Sequence, residues 1–178
     1  MNTKHILLVE DDPCDADMTL AALGEHNLAN KVFVVHDGEE ALDYLCCRGK
    51  FEKRGGGNPV VVLLDNKMPK ISGLEVLKTM KGDERFKMIP VVVLTSSRQP
   101  LDLVEFYKHG VNAYVVKPVI FSEFMRAVKQ LGCFWGMINE PPPPLGEEEK
   151  STQNGEVHSH GKEEVENEIP TAHLALGR

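Results

Sequence analysis

Val60-Val61-Val62-Leu63-Leu64-Asp65 constrains the fold more than any other stretch of the chain. Five aliphatic residues run without a polar break and then stop on a carboxylate. A continuous β-branched run of this length has no wet face, so it suits a strand covered on both sides. Gly55-Gly56-Gly57-Asn58-Pro59 precedes it and Met68-Pro69 follows, which punctuates both ends. Residues 6–9, 31–36, 89–94 and 113–116 carry runs of the same kind. Between them, apolar residues return at helical spacing. Pro13, capped by Asp12, opens a helix through Ala16, Leu20 and Leu23. Further helices are expected over 39–47 (Ala41, Leu42, Leu45), 73–80 (Leu74, Leu77), 101–109 and 121–131 (Phe124, Val128, Leu131). Residues 48–59 show no period and read as an exposed loop. Strand and helix thus alternate five times. The pattern predicts an α/β fold: a flavodoxin-like, doubly wound parallel sheet of five strands, order 2-1-3-4-5, in three α/β/α layers.

The chain of 178 residues has room for one domain and an appendage. Its composition changes after Asn139. Pro141-Pro142-Pro143-Pro144 favours extended polyproline II. The Glu-rich remainder has too few aliphatics to offset the entropy of ordering. The expectation is a folded domain over 1–140 and a Pro/Glu-rich disordered tail over 141–178.

The net charge of -7 belongs mostly to that tail, where nine acids from Glu140 onward face three bases. Residues 1–138 are therefore nearly neutral, with no basic patch among aromatics, which argues against a nucleic-acid partner. No apolar run approaches the roughly 20 residues of a membrane span. Glu10, Asp11 and Asp12 follow too closely on the first apolar run for a signal peptide. A cytoplasmic protein with no membrane partner is expected. Cys14, Cys46, Cys47 and Cys133 form no CxxC pair, and Cys46-Cys47 on a helix would point to different sides. They read as reduced thiols.

The strand ends carry the chemistry. The first strand ends in Glu10-Asp11-Asp12, the third in Asp65, the fourth in Thr95 and the fifth in Lys117. In parallel strands of that order, all of these arrive at one edge, where open α/β sheets bind ligands. Clustered carboxylates repel unless they share a cation, and hard oxygen ligands favour Mg2+. Lys117 and Thr95 add donors for an anion. The set suits a phosphoryl group accepted by Asp65 as an acyl phosphate, with Lys117 and Mg2+ neutralising the oxygens. There is no Gly-rich phosphate loop or GK[ST], so the phosphoryl group does not arrive on a tightly held nucleotide.

Glu10-Asp11-Asp12, Asp65-x-x-Met68-Pro69-x-x-x-Gly73, Thr95-Ser96-Ser97 and Lys117-Pro118 resemble the receiver domains of two-component response regulators. The resemblance spans residues 4–138. It implies that Asp65 takes phosphate from the phosphohistidine of a sensor histidine kinase. Asp11, Asp65 and the backbone carbonyl of Lys67 would then ligate Mg2+, with Glu10 assisting through water. Thr95 and Tyr114 would form a switch pair, Thr95 moving toward the phosphoryl group as Tyr114 rotates inward. Gly73 would serve the turn before the third helix, and Lys117-Pro118 would be a cis peptide. Such a protein catalyses only its own phosphotransfer and slow dephosphorylation.

Asp11-Asp12-Pro13-x-Asp15, the block from Asp37 to Leu45, the Gly-rich loop and Asn139-Glu140-Pro141-Pro142 are similar to single-domain regulators that partner bacterial phytochromes. That likeness implies a phytochrome kinase as partner, no DNA-binding output domain, and a homodimer through helix 4, strand 5 and helix 5. Phe134 and Trp135 either join that interface or cap the core. Asn66 departs from the usual aliphatic residue, and Lys67 and Ser97 occupy variable positions that tune access of hydrolytic water. One alternative is a degenerate receiver acting as a constitutive binding scaffold. An aspartyl-phosphate hydrolase is disfavoured because Lys67 stands where its second carboxylate would be.

Overall fold

The computed structural model describes residues 4–24, 31–55, 57–117 and 120–142. Five parallel strands form one sheet: β1 (Ile6–Val9), β2 (Val32–Val35), β3 (Val61–Asp65), β4 (Val91–Thr95) and β5 (Ala113–Val116). Their order is β2-β1-β3-β4-β5, as expected. The register pairs Val9 with Leu64, Asp65 with Leu94 and Thr95 with Val116. All the strand ends that carry chemistry therefore lie along one edge.

Each strand alternates its side chains between two cores, because successive residues of a strand point to opposite faces. Leu7, Val9, Val62, Leu64, Val91 and Val93 meet α2 (Gly38–Leu45), α3 (Gly73–Gly82) and α4 (Pro100–Lys108) through Ala41, Tyr44, Leu45, Val76, Leu77, Met80 and Phe106. Ile6, Leu8, Leu63, Val92 and Leu94 meet α1 (Pro13–Gly24) and α5 (Phe121–Cys133) through Ala16, Ala22, Leu23, Phe124 and Val128. Strands β1, β3 and β4 are buried along their whole length. This explains why they read as unbroken apolar runs.

Asp12 caps α1 as expected, its carboxylate accepting the N–H groups of Cys14 at 2.8 Å and Asp15 at 3.0 Å. Ser72 and Glu75 form a reciprocal capping box at the start of α3. The helix faces differ in detail from the expected ones. On α1, Thr19 and Ala22 are buried beside Ala16 and Leu23, while Leu20 is only half-buried.

Two local expectations need correction. The segment 48–59 is no simple exposed loop: Gly49–Phe51 forms a 3-10 turn that buries Phe51. Phe51 meets Tyr44 edge-on at 5.3 Å, and Arg54 lies over the other ring at 4.1 Å. Arg54 also donates to the carbonyls of Tyr44 and Gly57. An isolated aromatic anchor has no sequence period, so it left no signal. Second, α2 ends at Leu45, and Cys46 and Cys47 lie in the turn beyond it, Cys47 with φ of 52°. All four cysteines are free thiols.

The last helix runs two residues further than expected and continues as a π-helical turn, Phe134–Ile138. Trp135 packs against the α1/α5 core, while Phe134 is exposed and edge-on to it at 4.9 Å. By backbone proximity the chain divides into Met1–Pro143 and Pro144–Arg178. The second unit, and with it nearly all of the expected tail, lies outside the described residues. Among the described residues, no helix is long and apolar enough to cross a membrane.

Candidate functional site

Glu10 follows β1, Asp65 ends β3, Thr95 ends β4 and Lys117 follows β5. Two backbone hydrogen bonds carry the sheet one step past its strands and hold these ends in line. Glu10 N–H donates to Val35 at 3.0 Å and Lys117 N–H donates to Thr95 at 2.7 Å. Glu10 and Asp65 are buried, and Asp11 is exposed.

Lys117 sits at the centre. Its ammonium lies 2.5 Å from Asp15, 2.8 Å from Glu10 and 3.1 Å from Asp65. Burial works against its charge, but the carboxylates of Asp15, Glu10 and Asp65 outweigh that and push its pKa up. Burial pushes the Glu10 carboxyl up to about 7 in spite of Lys117. Burial likewise raises Asp65, with Lys117 and the Lys67 amide opposing.

One ammonium cannot balance this set. Carboxylate oxygens of Glu10, Asp11 and Asp65 lie within 4.8 Å of one another, and Asp15 adds a fourth acid on Lys117. The uncompensated charge and the all-oxygen donors fit a hard divalent cation.

The loop after β3 is built to bring backbone close to Asp65. Lys67 N–H donates to the Asp65 carboxylate at 2.7 Å. Gly73 N–H donates to the Asn66 carbonyl at 3.0 Å, which closes the loop. A Cβ on Gly73 would lie 2.2 Å from the Asp65 carbonyl oxygen, so only glycine lets α3 start there. Lys70 adopts φ of 63° and reaches back to Asp37 at 2.7 Å and Glu39 at 3.1 Å on α2. The side chain of Asn66 is half-buried and that of Lys67 exposed.

Thr95 is fully buried, and its hydroxyl accepts the Ser97 N–H at 3.0 Å. Tyr114 packs its ring on Phe106, with centroids 5.5 Å apart, and its hydroxyl donates to the Ser97 carbonyl at 3.4 Å. Thr95 and Tyr114 therefore meet the same turn, between β4 and α4. Ser97, expected at a water-access position, is buried and donates to Asp102 on α4 at 2.6 Å. Pro118, and so the expected cis peptide, lies outside the described residues.

The structure thus brings together Glu10, Asp11, Asp65, the Lys67 amide and Lys117, with Thr95 and Tyr114 on the adjoining turn. Sequence reasoning gave no role to Asp15 or Lys70. An acid in a helix's first turn fits the macrodipole anyway, which hid Asp15.

Comparison with known proteins shows the family. Residues 6–129 match the family model described as response regulator receiver domain. A curated relative, the probable methanogenesis regulatory protein FilR2 of Methanothrix harundinacea, is 39% identical over 78% of this chain and 88% of its own. The bacteriophytochrome response regulator AtBRR is 55% identical, with TM-score 0.63, over 79% of this chain and all of its own. The phosphorylated cyanobacterial phytochrome response regulator RcpA is 36% identical, and the Mn2+-bound response regulator Rcp1 32%. Each of these two structures has a TM-score of 0.73 over 79% of this chain and 99% of its own.

Proposed function

Because this chain belongs to the response regulator receiver domain family, we propose that it is a single-domain response regulator that accepts a phosphoryl group from a sensor histidine kinase on Asp65. The observation that carries this is the placement of Asp65. It is a buried carboxylate at a strand end, within reach of one half-buried ammonium and two further acids.

An oxygen of Asp65 attacks phosphorus, the P–N bond to the kinase histidine breaks, and the imidazole nitrogen takes the electron pair and then a proton. Lys117 donates to the transferring oxygens from a site already shielded from water. Glu10, Asp11, Asp65 and the Lys67 backbone carbonyl would hold Mg2+. Bound there, the cation would supply charge neutralisation for the phosphoryl oxygens. The convergence of three carboxylates and the Mn2+-bound form of Rcp1 support this assignment. Membership of the receiver family supports its own phosphorylation and slow dephosphorylation as its turnover.

The output is a surface change. Thr95 and Tyr114 share the turn at Ser97, so a hydroxyl drawn toward the phosphoryl group alters what that turn offers Tyr114. The surface beside it, α4, exposes Leu101, Val104 and Tyr107. We assign this face, with β5 and α5, to a homodimer. Residues 1–140 are taken as the receiver domain and 141–178 as a tail appended to it, in a cytoplasmic protein.

The likeness to AtBRR and RcpA supports a phytochrome as the kinase. A constitutive scaffold would have no use for Lys117 and Glu10 kept on Asp65, which argues against that reading. The test is phosphotransfer from a 32P-labelled phytochrome kinase. Label should pass to the wild type and not to Asp65→Asn. Transfer to Asp65→Asn, or none to wild type from any histidine kinase, would remove the proposal.

A further inference from the structure

We propose that Asp15 is a positioning residue for the phosphotransfer: it takes one N–H of Lys117 and holds the ammonium at Asp65 before the phosphoryl group arrives. This deepens the reading of Asp65 as phosphoacceptor and rests on it.

The observation is the order of distances around Lys117. Asp15 is the nearest carboxylate at 2.5 Å, ahead of Glu10 at 2.8 Å and Asp65 at 3.1 Å. An ammonium has three N–H groups; here it donates to Asp15 and to Glu10, while Asp65 lies at ion-pair distance. Glu10 and Asp65 both belong to the cluster that fits a cation, so a metal would draw their charge away from Lys117. Asp15 is outside that cluster. Among the described residues, it is the partner of Lys117 that keeps its full interaction when the site is loaded.

The fold also places Asp15 firmly. Its own N–H donates to Asp12, the cap of α1, at 3.0 Å, which fixes the first turn beneath the pocket. The side chain is half-buried, and Ala16 next to it is anchored in the α1/α5 core. A four-carbon lysine stem carries considerable rotamer freedom. Anchored at Glu10 and Asp15, the ammonium keeps one N–H free for whatever occupies the Asp65 side. The simpler reading is that Asp15 only complements the helix dipole. That reading predicts a stability effect and no effect on phosphotransfer.

Two substitutions separate charge from position. Asp15→Asn removes the charge but leaves an oxygen that can accept from Lys117. Asp15→Ala removes both. Initial rates of phosphorylation by acetyl phosphate would be read by intact mass at saturating Mg2+, in the parent and in a Lys117→Ala background. Thermal midpoints and Mg2+ affinities would be measured alongside.

Asp15→Ala should slow phosphorylation about five- to tenfold while Asp15→Asn stays within about twofold of the parent. In the Lys117→Ala background, Asp15→Ala should have no further effect, because its action runs through Lys117. Mg2+ affinity should fall alike in both Asp15 variants, which lose the same charge. The proposal is overturned if Asp15→Ala matches the parent, if Asn and Ala are equally slow, or if the slowing persists without Lys117. A parent protein that takes no phosphoryl group would overturn the function reading first and this proposal with it.

Discussion

Asp37 ties two parts of the molecule together with one carboxylate. It caps α2 by accepting the Glu40 N–H at 2.8 Å, and it receives Lys70 from the loop behind Asp65 at 2.7 Å. Burial opposes its charge, but Lys70 and the amides of Glu40 and Glu39 prevail and hold the carboxyl below the ordinary carboxylate range. A carboxyl depressed in the folded state adds stability above its unfolded value and loses it as pH falls through the folded one. Asp37→Asn keeps the cap and removes only the charge. We expect it to be about 0.5–1 kcal/mol less stable than wild type at pH 7, a modest figure because Lys70 is half in water. The gap should close as pH falls through the lowered titration of the folded Asp37 carboxyl. Urea titrations across pH 2–7 check this, and a constant gap would show that the charge is not responsible. Residues of this kind were hard to read from sequence. Asp65 stood out because it ends an apolar run. Asp37 and Asp15 sit among polar neighbours, where only tertiary contacts distinguish them.

Among the elements, those buried on both faces were legible and those fixed by single contacts were not. Strands β1, β3 and β4 declare themselves because no residue in them meets water. The five helices followed from spacing, although on α1 the exact buried face did not. Its Ala residues contribute little contrast, and Thr19 is buried by packing that polarity would not suggest. The segment after α2 was misread because its order depends on one ring. Phe51→Ala should therefore cost about 3 kcal/mol in chemical denaturation, well beyond a surface-loop change. A loss under about 0.5 kcal/mol would restore the exposed-loop reading. At α3, Ser72→Ala removes half of the capping box and should cost about 1 kcal/mol by the same measurement. Gly73→Ala lies at the same helix start but meets the Asp65 carbonyl. It should reduce phosphorylation as well as stability, whereas Ser72→Ala should leave the phosphorylation rate within about twofold.

For the whole molecule, the site lies at the open edge of the sheet and the exposed apolar residues of α4 lie beside it. Leu101, Val104 and Tyr107 together give a partner something to bury. If α4, β5 and α5 form the dimer face, Val104→Arg should shift the protein toward monomer in sedimentation velocity. Its rate of phosphorylation should stay unchanged, because Val104 is exposed on α4. Unaltered sedimentation would move the dimer elsewhere.

We propose that Asp65 carries the phosphoryl group and that its neighbours make this possible. The most direct test is intact mass after incubation with acetyl phosphate, with and without Mg2+, for wild type, Asp65→Asn and Lys117→Ala. Wild type should gain one base-labile phosphoryl group only with Mg2+, Asp65→Asn none, and Lys117→Ala at least about tenfold less in the same time. Full labelling of Asp65→Asn, or labelling of wild type indifferent to Mg2+, would rule out Asp65 as the Mg2+-dependent phosphoacceptor.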